Sequence, residues 1–163
     1  MANWQEKERA ARQAIENYGF SVHDANVLFR ANCPNIDLVV YGHTKAVYVQ
    51  VKSSEIPASK DGVVIDGSPW TQAQLYEGAP IFNRHAEPGQ FKATFILIVD
   101  QVKNGDVNYD IAPPRALEDL LRERAVAWAE HPKKDGSRRS LGFRKELPRE
   151  TLAPWLNTWH LLD

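Results

Sequence analysis

Asp37, Gln50 and Lys52 are the residues of this sequence whose types and spacing best suit joint chemistry. Residues 35–41 (Asn-Ile-Asp-Leu-Val-Val-Tyr) and 46–52 (Ala-Val-Tyr-Val-Gln-Val-Lys) are rich in β-branched and aromatic side chains. Gly42-His-Thr-Lys45 separates them, and the pattern predicts a β-hairpin. A hairpin turning on His43–Thr44 places Asp37 opposite Gln50. Side chains alternate with period two, so Gln50 and Lys52 share a face and the opposed Asp37 projects from it as well. Val47, Val49 and Val51 then point the other way, toward a core. Everything depends on register, because a slip of one residue puts Asp37 on the wrong face.

An acid, a neutral oxygen donor and an amine so arranged suit metal-assisted phosphodiester hydrolysis. Mg²⁺ prefers hard oxygen ligands and is commonly held by one or two carboxylates, water and substrate phosphate. Asp37 supplies a carboxylate, and the Gln50 side-chain carbonyl and the Val51 backbone carbonyl could add neutral oxygens. Lys52 could orient or polarise an attacking water and offset developing negative charge. Glu8 is the candidate for a second carboxylate, since its spacing from Trp4, Ala11 and Ile15 puts it at the edge of an apolar helical stripe. An acid turned inward needs a partner, and a metal or Lys52 would serve. Alternatively, the helix is offset and Glu8 only rims the core.

The elements that must position these residues follow from periodicity and punctuation. Residues 4–18 predict a helix stopped by Gly19, with Trp4, Ala11, Ala14, Ile15 and Tyr18 on its apolar side. A short strand-like stretch, 20–24, leads into a polar connection through Asn32 and Pro34 before the hairpin. Residues 54–67 predict a loop, and Ser68-Pro69 opens a short helix through Tyr76. The unbroken apolar run near 93–100 predicts a strand buried on both faces, as in a sheet covered by helices on either side. A weaker strand at 107–111 precedes a helix over 115–130, with Leu117, Leu120, Leu121, Ala125 and Trp128 on one face. A basic loop spans 132–140, a last strand is expected within 141–147, and a terminal helix within 151–162. Together these predict an α/β protein, a sandwich around a mixed sheet.

Composition excludes several classes. The chain has 163 residues, 20 Lys and Arg against 21 Asp and Glu, and a single cysteine, Cys33, which cannot close a disulfide within the chain. One domain of ordinary size is expected, in the cytoplasm, with neither a membrane span nor a signal sequence. A net charge of −1 excludes polyanion binding by bulk charge, so contact with nucleic acid must come from local patches. The five histidines lack metal-ligand spacing, and there is no serine-nucleophile elbow, phosphate-binding P-loop or dinucleotide fingerprint.

The order of a helix carrying Glu8, then Gly19-Phe20, Asp37 and Gln50-Val51-Lys52 resembles the PD-(D/E)xK nuclease superfamily. Glutamine at the first triplet position is similar to the D…QxK form of Mrr-type endonucleases, and the element order to archaeal Holliday-junction resolvases. The resemblance covers about the first hundred residues and leaves the C-terminal third unaligned. It implies a three-layer α/β/α sandwich with a central mixed sheet, the restriction endonuclease-like fold, and Mg²⁺-dependent DNA cleavage, with Mn²⁺ as a substitute. Asp37, Gln50 and Lys52 would be catalytic and Glu8 a fourth participant; Asp37, Gln50, Val51 and Glu8 would hold the metal. Asn35-Ile36 stands where the family has a proline step, and neutral Gln50 weakens the metal site. Gln72 and Tyr76 match the Q-x-x-x-Y pattern of RecB-like members and, four apart, share a helical face.

Lys133, Lys134, Arg138, Arg139, Arg144 and Lys145 stand against one acid, Asp135, and would suit contact with DNA phosphates. Cutting both strands calls for two active sites, so a homodimer is expected. Two alternatives remain: a catalytically silent DNA-binding or protein-interaction module of the same fold, and an RNA-directed nuclease.

Overall fold

The computed structural model describes residues 3–54, 61–66, 68–84, 91–102, 105–139 and 145–163. Helix α1 (Trp4–Tyr18) starts with a capping box in which the Asn3 side chain accepts from the Glu6 amide and Glu6 accepts from that of Asn3. It ends at Gly19, whose φ of 107° is left-handed. β1 (Ser21–Asp24) runs into a short helix α2 (Ala25–Phe29), where the connection was expected to be irregular. Asp24 caps α2 by accepting from the Val27 amide at 3.0 Å. An Asp at the junction is the missed signal.

β2 (Leu38–Tyr41) and β3 (Ala46–Ser53) form the expected hairpin, closed by Gly42 N–H donating to the Lys45 carbonyl at 3.0 Å. Leu38 pairs with Val49 and Val40 with Val47, the register that a turn on His43–Thr44 demands. β4 (Gly62–Asp66) lies where a loop was expected; its partner β7 (Lys145–Pro148) is remote in sequence. α3 (Gln72–Tyr76) starts later than Ser68-Pro69 suggests, because Thr71 and Gln74 form the capping box. β5 (Phe95–Gln101), β6 (Val107–Ala112) and α4 (Pro114–Glu130) follow. The C-terminal segment forms two 3₁₀ helices, Arg149–Trp155 and Trp159–Leu162, in place of one helix; Pro154 lies inside the first and removes an amide donor.

The central sheet has the order β1-β2-β3-β5-β6, with β3 and β5 parallel and the other pairs antiparallel. One face packs Val22, Leu38, Val40, Val47, Val49 and Leu97 against Ala11 and Ile15 of α1. The other packs Val39, Ile96, Ile98 and Ala112 against Leu75 of α3, Leu117 and Leu121 of α4 and the small β4–β7 sheet. The expected α/β sandwich around a mixed sheet is therefore what the chain forms, and β5 is buried on both sides as its unbroken apolar run requires. No helix among the described residues is long and apolar enough to cross a membrane.

Two apolar stripes differ from expectation. Trp4 and Tyr18 of α1 are exposed, and the inward positions are Lys7, Ala11 and Ile15. Trp128 is also exposed on α4, where Arg139 lies 4.0 Å above its ring. The indole is covered by a guanidinium from the following loop instead of the core.

Candidate functional site

Asp37 sits immediately before β2, where its amide donates to the Val49 carbonyl at 2.9 Å and its carbonyl accepts from Ala25 at 2.8 Å. Its side chain turns toward β3, and Oδ2 accepts from the Val51 amide at 2.7 Å. Amide and carbonyl of one strand residue point to the same edge, so the Val51 carbonyl faces the Asp37 side too. Val49 belongs to the core under α1, while Tyr48 packs with the opposite core. Alternation within β3 therefore puts Gln50 and Lys52 on the face of Tyr48, whereas ahead of β2 the alternation is broken at Asp37, with Ile36 in one core and Leu38 in the other. Gln50 and Lys52 share a face of β3, while Asp37 lies in a bend ahead of β2 and turns its carboxylate to the Val51 backbone amide.

Burial raises the Asp37 pKa; the Val51 hydrogen bond and the Lys52 charge pull it back, and Asp24 adds to the rise. Gln50 Oε1 is buried and, among the described residues, has no hydrogen-bond partner. A buried carbonyl left unpaired costs about 1–3 kcal/mol, and here it belongs to the residue just before the Val51 amide that binds Asp37, on the β3 face of Lys52.

Glu8 is half-buried on the flank of α1. Burial raises its pKa first, then the charges of Asp37 and Asp24, with Arg12 opposing. Its charge thus reaches the hairpin site, although no hydrogen bond joins it to Asp37. Asp24, the α2 cap, acts on both Glu8 and Asp37 and is the acid that periodicity and motif spacing overlooked. A capping Asp on the strand next to the motif strand was its available signal.

Among the described residues, no three of His, Cys, Asp and Glu are grouped to hold a metal ion. The donors at hand are one half-buried carboxylate, the Gln50 amide oxygen and a backbone carbonyl, with Glu8 close enough to sense the Asp37 charge. All are hard oxygens, and a small protein share completed by water and substrate phosphate is how Mg²⁺ is commonly held. The donor chemistry fits that ion.

The other expected contact residues lie apart. Gln72 and Tyr76 are exposed on α3, and no hydrogen bond or ion pair joins them to Asp37, Gln50 or Lys52. α3 is instead bound to α4, with Arg122 donating to the carbonyls of Gln74 and Ala79. Lys133, Lys134 and Arg138 are exposed in a turn after α4, organised by Asp135 accepting from Ser137. Arg139 is committed to Trp128 and to the His131 carbonyl. Arg144 lies outside the described residues, as do Ser140 and His85. Lys145 is fully buried, donating to the Ser68 carbonyl beneath the Trp70 ring, and so leaves the basic surface.

No family model and no curated protein matches this sequence. Among solved structures, the chain is similar to a bacterial homing endonuclease, I-Ssp6803I, at 18% identity and a TM-score of 0.49, over 99% of this chain and 91% of that one. At that identity and score the match says nothing about activity.

Proposed function

We propose that this chain is a Mg²⁺-dependent endonuclease that hydrolyses DNA phosphodiester bonds. The observation that carries this is the Asp37 carboxylate anchored to the Val51 amide, between Gln50 and Lys52, which share one face of β3, with Gln50 Oε1 buried and, among the described residues, without a hydrogen-bond partner. Asp37, Gln50 and the Val51 carbonyl would hold Mg²⁺, and Glu8 would contribute its charge. When bound, the ion supplies a polarised water and neutralises charge on the phosphate. Lys52 would orient that water and stabilise the negative charge that builds on the scissile phosphate. Lys133, Lys134 and Arg138 would hold a DNA backbone, and two copies would cut two strands.

The test is cleavage of supercoiled plasmid, linear duplex, four-way junction and RNA with Mg²⁺, Mn²⁺ or EDTA, comparing wild type with Asp37→Ala and Lys52→Ala. Metal-dependent DNA cutting lost in both variants supports the proposal, and preferential cutting of RNA redirects it. A folded wild type that cuts nothing under any metal refutes it.

One observation favours a second reading, a catalytically silent binding module: among the described residues no three acids or other ligands are grouped, and Gln50 stands at a position where a carboxylate would bind metal better. Cleavage gained only in Gln50→Glu would select it.

A further inference from the structure

Lys7 is an unexpected occupant of the inner face of α1. It is 8% exposed, one helical turn before Ala11, at a position where an apolar side chain would be ordinary. Its Nζ donates to the Ser54 carbonyl at 2.9 Å. Ser54 stands just past the end of β3, two residues after Lys52, and Lys7 immediately precedes Glu8. A single hydrogen bond therefore joins the helix carrying Glu8 to the strand carrying Gln50 and Lys52.

The receiving end is itself fixed. The Ser54 amide donates to the Val99 carbonyl at 3.1 Å, continuing the parallel pairing of β3 with β5. The Ser54 hydroxyl donates to Asp100 Oδ1 at 3.1 Å. Asp100 is 1% exposed and is ion-paired through Oδ2 with Arg149, at the start of the first 3₁₀ helix. Arg149 also reaches Oδ1 at 3.3 Å, which makes the pair bidentate. Ser54 is thus held from both layers, by α1 from one side and by the Asp100–Arg149 pair from the other.

Removing a lysine ammonium from water is costly, and burial does lower the Lys7 pKa, with the Asp100 charge opposing. An apolar residue would pack the same helix against the same sheet at less cost. What the amine adds is a directional bond with one acceptor, which sets how far along β3 the start of α1 lies. We infer that Lys7 is a positioning residue, which through the Ser54 carbonyl registers Glu8 on α1 against Gln50 and Lys52 on β3. This rests on the proposed metal site and identifies what aligns its two halves.

The experiment is calorimetric titration with Mn²⁺, alongside plasmid cleavage and thermal unfolding, on wild type, Glu8→Gln, Lys7→Met and Lys7→Gln. Methionine keeps the apolar stem and loses the donor, whereas glutamine keeps a neutral donor. Lys7→Met is expected to weaken Mn²⁺ binding by about tenfold or more, the effect of losing a group that orients metal ligands, and Lys7→Gln to recover part of it. Should Lys7→Met fail to fold, Lys7→Gln against Glu8→Gln decides, with an intermediate affinity expected of Lys7→Gln. Wild-type affinity in a folded Lys7→Met, or changes confined to melting temperature, overturns the inference and leaves the metal site standing. A wild type that neither binds Mn²⁺ nor cuts overturns the metal site, and the role of Lys7 with it.

Discussion

The Asp37 carboxylate accepts a hydrogen bond from the Val51 amide across the end of the β2–β3 ladder, at 2.7 Å. The bond aims the acid along β3, toward the strand that carries Gln50 and Lys52, and separates two roles that substitution can dissociate. Asp37→Asn keeps an oxygen for Val51 and loses only the charge. It is expected to leave the melting temperature unchanged or raised, because burial already penalises the charged form, and to lower cleavage by roughly 100-fold or more. Asp37→Ala also strands the Val51 amide, at about 1–3 kcal/mol of stability. Thermal melts and plasmid nicking on the two variants check this, and an Asn variant that cuts at the wild-type rate removes Asp37 from the chemistry.

Asp110 gives the fold a pH dependence. It is buried on β6 with Oδ2 unpartnered among the described residues, and its pKa is pushed up from 3.8 to about 7 by burial and then by Asp100, with Arg149 opposing. Between those two values the native state holds a proton that the unfolded chain has released, so stability falls as pH rises and the loss is complete above about 7. At ~1.4 kcal/mol per pKa unit the upper bound is ~4 kcal/mol. Asp110→Asn cannot ionise; it is expected to be more stable than wild type by ~1–3 kcal/mol at about pH 8 and to flatten the dependence down to about pH 5. Urea unfolding at the two pH values decides, and an unchanged slope would assign the pH dependence to other groups.

The hairpin and its register were legible because every cue agreed: β-branched runs on both sides, a four-residue turn, and alternation that left Val47, Val49 and Val51 on the core side. β5 was legible from its unbroken apolar run. β4 was not, since it pairs with β7, 79 to 86 residues away, and local pattern carries no information about that partner, whereas β7 itself lies at the end of the expected 141–147 strand. Lys7 was missed for a related reason: the helical stripe was traced through apolar residues, and a lysine that spends its charge on a buried carbonyl breaks the rule that tracing depends on. Glu8 is half-buried beside an inward stripe of Lys7, Ala11 and Ile15, and exposed Trp4 shows α1 offset from the stripe first traced, as the alternative of a Glu8 that rims the core allowed.

The hairpin turn is secured by Asp163. Its Oδ1 accepts from the amides of His43 and Thr44, and its Oδ2 lies 3.4 Å from the His43 ring. Gly42 permits this approach, because a Cβ there would lie 2.7 Å from the Asp163 Cα and 2.8 Å from the Leu162 carbonyl oxygen. Both are backbone atoms that cannot swing aside. Gly42→Ala is expected to destabilise the protein by about 1–3 kcal/mol, and Asp163→Ala to cost less, because the freed amides lie at the surface and can take water. Denaturant unfolding measures both, and an alanine at 42 without effect would mean that the turn and the 162–163 segment can separate freely.

Asp24 performs two tasks that its amide analogue separates. Asp24→Asn preserves an oxygen for the Val27 amide and is expected to leave stability nearly unchanged, whereas Asp24→Ala loses the α2 cap at about 1 kcal/mol. Both remove the charge felt at Glu8 and Asp37. If that charge helps to hold a cation, Mn²⁺ affinity should fall equally in the two variants despite their different stabilities. A loss seen only in the alanine variant would trace to the cap.

The basic turn after α4 predicts a graded response to salt. Lys133, Lys134 and Arg138 are exposed, while Arg139 is held over Trp128 and against the His131 carbonyl. In an Asp37→Asn background, which separates binding from cutting, each of Lys133→Gln, Lys134→Gln and Arg138→Gln should reduce the slope of log affinity against log salt by about 0.9 if the residue neutralises one duplex phosphate. Arg139→Gln should leave that slope nearly unchanged and instead loosen the turn, because its guanidinium is already engaged. Anisotropy titrations of a labelled duplex at several salt concentrations measure the slopes. Four unaltered slopes would place the DNA surface elsewhere, and a loss in Arg139→Gln equal to the others would show that its contact with Trp128 gives way to phosphate.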